Sequence, residues 1–364
     1  MKKKILPALI SLLCLSACAT DEPSALPAPS ATIAEATPTA EPTAVPTATP
    51  TPKPTATPTP TPSPTPVPNR PDIPQRGMTE ALPEEYLLPA SLQGTVERIT
   101  YPSWDFAGEG EPIEKVANVY LPAGYDPEDQ ETRYDIFYFM HGFTGNADEF
   151  FTYNDGFEKN LFDNMIEKGD IPPMIIVAAT FDAQNDFADF DRSVEEVRAF
   201  HYDFRKYLMP AVESHYHTYA LSTSDEDLAA SRDHRAFGGF SLGSVTTWLE
   251  LCHDPDYIRY YLPISAACWY YGDIGDPQPV LNTDFIASVI EEHALNDKGY
   301  FVYACTGTMD SMHGEMDLLM DEMFSRGDAF PPEHMVFYYC EGAAHELVAL
   351  PVYFYNALPL FFGD

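Results

Sequence analysis

From about residue 90 onward, short runs of apolar, β-branched and aromatic residues alternate with longer stretches in which apolar and polar positions mix. The runs predict strands over 96–100, 116–121, 135–140, 174–180, 236–240, 258–265, 300–306 and 335–340. Several are apolar at consecutive rather than alternate positions, which suits strands covered on both faces. The mixed stretches predict helices over 147–167, 193–214, 242–253, 312–326 and 346–360. Strand and helix in alternation predict an α/β fold, a mostly parallel eight-stranded sheet with helices on both faces. In such sheets a ligand sits beyond the carboxyl ends of the strands, so the residues directly after each strand are where chemistry is sought.

The N-terminal part shows no such pattern. Lys2, Lys3 and Lys4 precede an apolar run, ILPALISLLCL, that ends at the small residues Ser16 and Ala17. A charged start, a short apolar middle and small residues describe an export signal, residues 1–17. Leu15-Ser16-Ala17-Cys18 resembles the bacterial lipobox, in which the cysteine is acylated and becomes the first residue; an ordinary cleaved signal is the plainer alternative. Acylation of Cys18 would anchor the exported chain to the cell membrane, facing outward, through more than one acyl chain. Residues 18–76 then read as a linker. Of the 35 prolines in the chain, 17 lie between Pro23 and Pro74. So few apolar residues cannot offset the entropy of ordering, and alternating prolines favour an extended spacer. The catalytic domain is expected over 77–364, where a chain of this length buries a full core without staples.

Charge narrows the partners. The formal net charge is −36, and the Pro-rich segment carries almost none of it. Such a surface repels phosphates and anionic head groups, so no nucleic acid partner is expected and membrane attachment would come only through the lipid on Cys18. Cys252, Cys268, Cys305 and Cys340 lie in or beside apolar segments and read as buried thiols, although three pairings remain open. No cofactor and no metal site is expected, because no cysteine or histidine spacing suits zinc.

The strongest chemical signal is Gly239-Phe240-Ser241-Leu242-Gly243, which closes one predicted strand and opens the next helix. G-x-S-x-G alone arises by chance in roughly one chain in ten of this length. Its position gives it weight: a serine on a strand-to-helix elbow needs small neighbours around a strained turn. Ser241 is therefore read as a nucleophile rather than a turn serine. A serine hydroxyl needs a base, and His345 follows the last predicted strand through Glu341-Gly342-Ala343-Ala344. His201, His215, His217 and His313 lie in or beside predicted helices. Asp310, after the strand at 300–306, would orient the base; Asp317 and Asp321 sit on a predicted helix. The oxyanion of an acyl intermediate needs two amides aimed at one point, here Leu242 and a donor from the loop Met140–Asn146. Phe143 is the first choice and Thr144 the second, while His141 reads as structural. Ser, Asp, His is the chain order of α/β-hydrolases.

Five segments in order, VYLPAGYDP, FMHGFTGN, GGFSLG, GTMD and GAAHE, resemble the bacterial feruloyl and acetyl-xylan esterases of carbohydrate esterase family one. The resemblance covers most of 90–364. It implies an α/β-hydrolase fold, no metal, a triad of Ser241, Asp310 and His345, and Trp269 and Thr144 at the substrate pocket. An ester-substituted polysaccharide would be the substrate. The chain departs from the family at LPISAACW, where a more polar turn is expected before the tryptophan. The fold also serves formylglutathione hydrolases, siderophore esterases and mycolyl transferases, and a non-catalytic binding module would be a different class altogether.

Overall fold

The computed structural model describes residues 76–78, 81–108, 110–153, 156–182 and 189–362. The export signal, Cys18 and the linker up to residue 75 lie outside them. Among the described residues eleven strands form in chain order: β1 Arg76–Met78, β2 Thr95–Trp104, β3 Pro112–Leu121, β4 Asp135–Met140, β5 Met174–Ala179, β6 Arg235–Phe240, β7 Tyr260–Ile264, β8 Gly272–Asp273, β9 Asp276–Pro277, β10 Phe301–Gly307 and β11 Met335–Cys340. Nine make one sheet, ordered β1-β11-β10-β7-β6-β4-β5-β3-β2, while β8 and β9 pair separately. From β1 to β5 every pairing is parallel; β3 runs antiparallel to β5, and β2 antiparallel to β3. All eight expected strands form. The ninth, β1, was not anticipated, and it adds an edge beside β11 at the start of the expected catalytic domain.

The helices are α1 Phe157–Lys168, α2 Phe190–Asp203, α3 Met209–Glu213, α4 Asp225–Ala230, α5 Leu242–His253, α6 Pro279–Glu292, α7 Leu295–Lys298, α8 His313–Phe324 and α9 Leu350–Ala357. A π-helical turn over Phe204–Leu208 joins α2 to α3, so the expected helix at 193–214 is continuous but wider in its middle. The expected helix at 147–167 begins ten residues later, at Phe157, because Ala147–Phe151 forms turns whose aromatics enter the core. The strands β4, β5 and β6 are buried at almost every position, and the apolar residues on the two sides of the sheet form two separate clusters. Two buried layers on one sheet explain why the strand runs were continuous rather than alternating. No helix among the described residues is long and apolar enough to cross a membrane. Cys252, Cys268, Cys305 and Cys340 are free, the first three buried.

Two carboxyls are buried at the C-terminal end of α5. Glu250 and Asp254 are both buried, one turn apart. Burial, and secondly the neighbouring Asp254, hold the Glu250 carboxyl well above its usual range, while burial pushes Asp254 up to about 7. Folding thus retains protons that the unfolded chain would release above about pH 4. These groups favour the fold at low pH and disfavour it as pH climbs through about 7. Conformational stability should therefore drop between pH 5 and 8, and Glu250→Gln should flatten the drop. Denaturant titrations of both proteins at the two pH values check this; parallel pH slopes would refute it.

Candidate active site

Ser241 stands on the turn between β6 and α5 with φ 57 and ψ −117, a left-handed conformation that a serine rarely takes. The turn is held from both sides. The Ser241 amide donates to the Ile264 carbonyl on the adjacent strand (2.9 Å), and the Ser241 carbonyl accepts from Ser244 and Val245 at the start of α5. Glycines make the elbow possible: a Cβ on Gly239 would lie 2.3 Å from the Gly243 carbonyl oxygen, and one on Gly243 only 2.1 Å from that of Met140. The hydroxyl is thereby lifted off the carboxyl end of the sheet, at the mouth of a cavity.

The two other expected residues meet it there. His345 Nε2 lies 3.0 Å from Ser241 Oγ, and its Nδ1 lies 2.9 Å from Asp310 Oδ1. Asp310 is buried and its Oδ1 also accepts the Met312 amide at 2.7 Å, which fixes the carboxylate before the histidine arrives. The imidazole packs on Phe240, ring centroids 4.6 Å apart. With Nδ1–H donating to a carboxylate, Nε2 is left as the acceptor facing the serine hydroxyl. Residues 104 and 35 positions apart in sequence are thus joined into one hydrogen-bonded line. The competitors stand apart from it: Asp317 pairs with His313 one turn along α8, at 3.1 Å.

The loop after β4 faces the same point. Among the described residues, Phe143 and Leu242 donate their amides to no backbone carbonyl, and Leu242 is the first residue of α5, where helical amides have no partner within the helix. His141 is buried behind this loop. Its Nδ1 donates to the Gly142 carbonyl (2.7 Å), and its Nε2 faces the Thr180 hydroxyl (2.7 Å). Burial pushes its pKa down to about 4, so the ring is neutral near pH 7. The histidine anchors the loop, in keeping with a structural role.

The cavity has a volume of about 590 Å³. Phe143, Phe150, Phe190 and Phe240 wall it with Ser241, His345 and Thr144. The Phe143 ring meets Phe190 edge-on at 5.1 Å. Trp269 departs from expectation. It is 2% exposed, is not among the cavity's lining residues, and donates Nε1 to Glu315 on α8 (3.1 Å). The segment Ser265–Trp269 is buried under α5, α6 and α8: Ala266 O accepts from Ser244 and Trp248, and Cys268 O from Asn282. Tyr270 stacks on Phe285 of α6 at 3.8 Å, again away from the cavity. Phe150, Phe190 and Glu158, which do line it, were not singled out in the sequence. Phe150 follows a turn-rich stretch that reads as a helix, and nothing local to the other two separates them from core or surface positions.

Comparisons with known proteins bear on the family and the fold. The Esterase family model matches residues 114–278. Over 287 residues the chain is 36% identical to endo-1,4-beta-xylanase Y of Acetivibrio thermocellus, covering 78% of this chain and 24% of that protein. It is 26% identical over 189 residues to an endo-1,4-beta-xylanase/feruloyl esterase of Xylanibacter ruminicola, 51% of this chain and again 24% of the relative. The chain thus spans about a quarter of the length of the curated relatives it matches. Among solved structures, a serine-to-alanine mutant of the feruloyl esterase module from Clostridium thermocellum, complexed with sinapinate, superposes with a TM-score of 0.67 at 34% identity, over 80% of this chain and 95% of that one. A ferulic acid esterase of Anaeromyces mucronatus shares the fold, with a TM-score of 0.57 at 21% identity over 78% and 96% of the two chains.

Proposed function

The chain belongs to the feruloyl and acetyl-xylan esterases of carbohydrate esterase family one, and from that premise we propose that it releases ferulic or related hydroxycinnamic acids from plant cell-wall xylan through an acyl-enzyme on Ser241. The observation that carries the reading is the Ser241–His345–Asp310 line opening onto an aromatic cavity. In the first half-reaction Ser241 Oγ attacks the ester carbonyl while His345 Nε2 takes the hydroxyl proton. The carbonyl oxygen gathers the negative charge, which the Phe143 and Leu242 amides stabilise. Collapse breaks the bond to the sugar oxygen, and His345 returns the proton to that leaving group. Water then attacks the acyl carbonyl while His345 takes its proton; collapse breaks the bond to Ser241 Oγ, which receives that proton from His345, and the acid is freed. Asp310 keeps the imidazole in the tautomer that each step needs.

Cavity size separates hydroxycinnamate from acetate. A cinnamoyl ring buries much of its surface between Phe143, Phe150 and Phe190, with an aromatic contribution of about 0.5–1.5 kcal/mol beyond area. An acetyl group would leave most of the space unfilled. For the isolated catalytic domain, kcat/KM on methyl ferulate should exceed that on 4-nitrophenyl acetate, after allowance for the leaving group, by about tenfold or more. Equal or better release of acetate from acetylated xylan than of ferulate from feruloylated xylan would make it an acetyl esterase.

The N-terminus supports an exported, lipid-anchored enzyme held outside the membrane by Cys18 and a spacer over 18–76. Intact-mass analysis of membrane-extracted protein tests this: a lipid adduct on Cys18 is expected, and an unmodified N-terminus cut elsewhere would refute it.

A further inference from the structure

One polar side chain in the cavity has no part in the bond-breaking steps. Glu158 stands in the first turn of α1, is 1% exposed, and lines the cavity with Phe139, Phe150 and Phe190. Its Oε2 has no hydrogen-bond partner among the described residues. Burial pushes its carboxyl up to about 8, opposed only by its own backbone amide, so the group is uncharged near neutral pH. A neutral carboxyl both donates and accepts hydrogen bonds, and one left unpartnered under cover costs stability until a ligand satisfies it.

Resting on the hydroxycinnamate reading above, we propose that Glu158 is a specificity-determining residue that hydrogen-bonds the ring hydroxyl of the acyl group. Three observations favour the acyl part over the sugar. The polysaccharide is a polymer and must stay at the mouth, where Glu149 and Tyr153 are exposed. Glu158 is 1% exposed, so only a group small enough to enter the cavity reaches its carboxyl. The cavity it lines also holds Phe139, Phe143, Phe150, Phe190 and Phe240, which suit the face of a ring whose edge carries a single polar group. A neutral donor–acceptor also matches a phenol, which is itself uncharged at neutral pH.

The test compares kcat/KM on methyl 4-hydroxycinnamate and on methyl cinnamate, which lacks the ring hydroxyl, for the wild type, Glu158→Gln and Glu158→Leu. The wild type should favour the hydroxylated ester by about tenfold or more, since a site built to pair with a hydroxyl rejects the analogue without it. Glu158→Gln, whose amide still donates and accepts, should keep most of that ratio. Glu158→Leu should bring it close to one, chiefly through KM. An unchanged ratio in Glu158→Leu overturns the proposal. If that variant does not fold, the wild-type ratio decides: a value near one overturns it, and a value of ten retained by Glu158→Gln upholds it. Cleavage of 4-nitrophenyl acetate with none of either cinnamate is a distinct result, because it removes the hydroxycinnamate reading itself.

Discussion

Replacing Ser241 by alanine should lower kcat/KM on every carboxylic ester by about 10⁴-fold to 10⁶-fold, with the fold unchanged. The substitution removes the one oxygen placed 3.0 Å from His345 Nε2 and leaves the elbow's backbone bonds to Ile264, Ser244 and Val245 in place. Alanine tolerates the φ of 57 no worse than serine does, so no new strain enters. His345→Ala should cost a similar factor, since without the base the hydroxyl is a poor nucleophile. Asp310→Ala should cost less, because the imidazole keeps its contact with Phe240 and loses only its tautomer and orientation. Steady-state kinetics together with circular dichroism check the series. Intact mass after reaction with a slowly released acyl donor should show one acyl group on the wild type and none on Ser241→Ala. Near-normal turnover by that variant would remove Ser241 from the mechanism.

The second large effect is steric. A Cβ on Gly243 would lie 2.1 Å from the Met140 carbonyl oxygen and 2.8 Å from that of His141. These are backbone atoms at the end of β4, where the chain turns into the oxyanion loop, and they cannot swing aside as a side chain would. Gly243→Ala must push α5 away from β4, which moves Ser241 and the Phe143 amide apart. A loss of about 3–5 kcal/mol in stability is expected, seen as a melting temperature lower by about 10 °C. Turnover measured well below that temperature should still fall by about 100-fold, because a displacement of about 1 Å is enough to spoil the attack geometry. Gly314, near the start of α8, is the control: a Cβ there meets nothing within 4 Å. Gly314→Ala should be neutral or slightly stabilising, as alanine is the better helix former. If both variants melted and turned over alike, the tight elbow would not exist as described.

Much of the fold was legible because its signals are local. A strand buried on both faces must be apolar at consecutive positions, and β4, β5 and β6 are so in sequence. The elbow could be read because its glycines stand within two residues of Ser241 and any larger residue would collide. Asp310 and His345 could be found because parallel strands end at one edge, so residues after different strands converge. The described residues show where such reading stops. Helix α6 escaped because its pattern is inverted. Val280 and Leu281 are about half exposed, while Asn282 and Thr283 are buried, Asn282 to hold the Cys268 and Tyr271 carbonyls. The place of Trp269 followed from that omission, since the element it packs beneath could not be foreseen. The edge strand β1 is three residues long and is ordered by its partner β11.

What the sequence determined by itself, then, is the alternation of strands and helices, the strained serine and the residues that stand at the strand ends, because each depends on neighbours a few positions away. What only the tertiary structure decided is which side chains share the cavity. In the sequence Glu158 falls inside the predicted helix 147–167, where a solvated glutamate is ordinary. It becomes a neutral, buried group in a cavity that also gathers Phe139, Phe190 and Ser241 from other elements of the fold. Burial depends on everything that packs around a residue, and no window along the chain contains it.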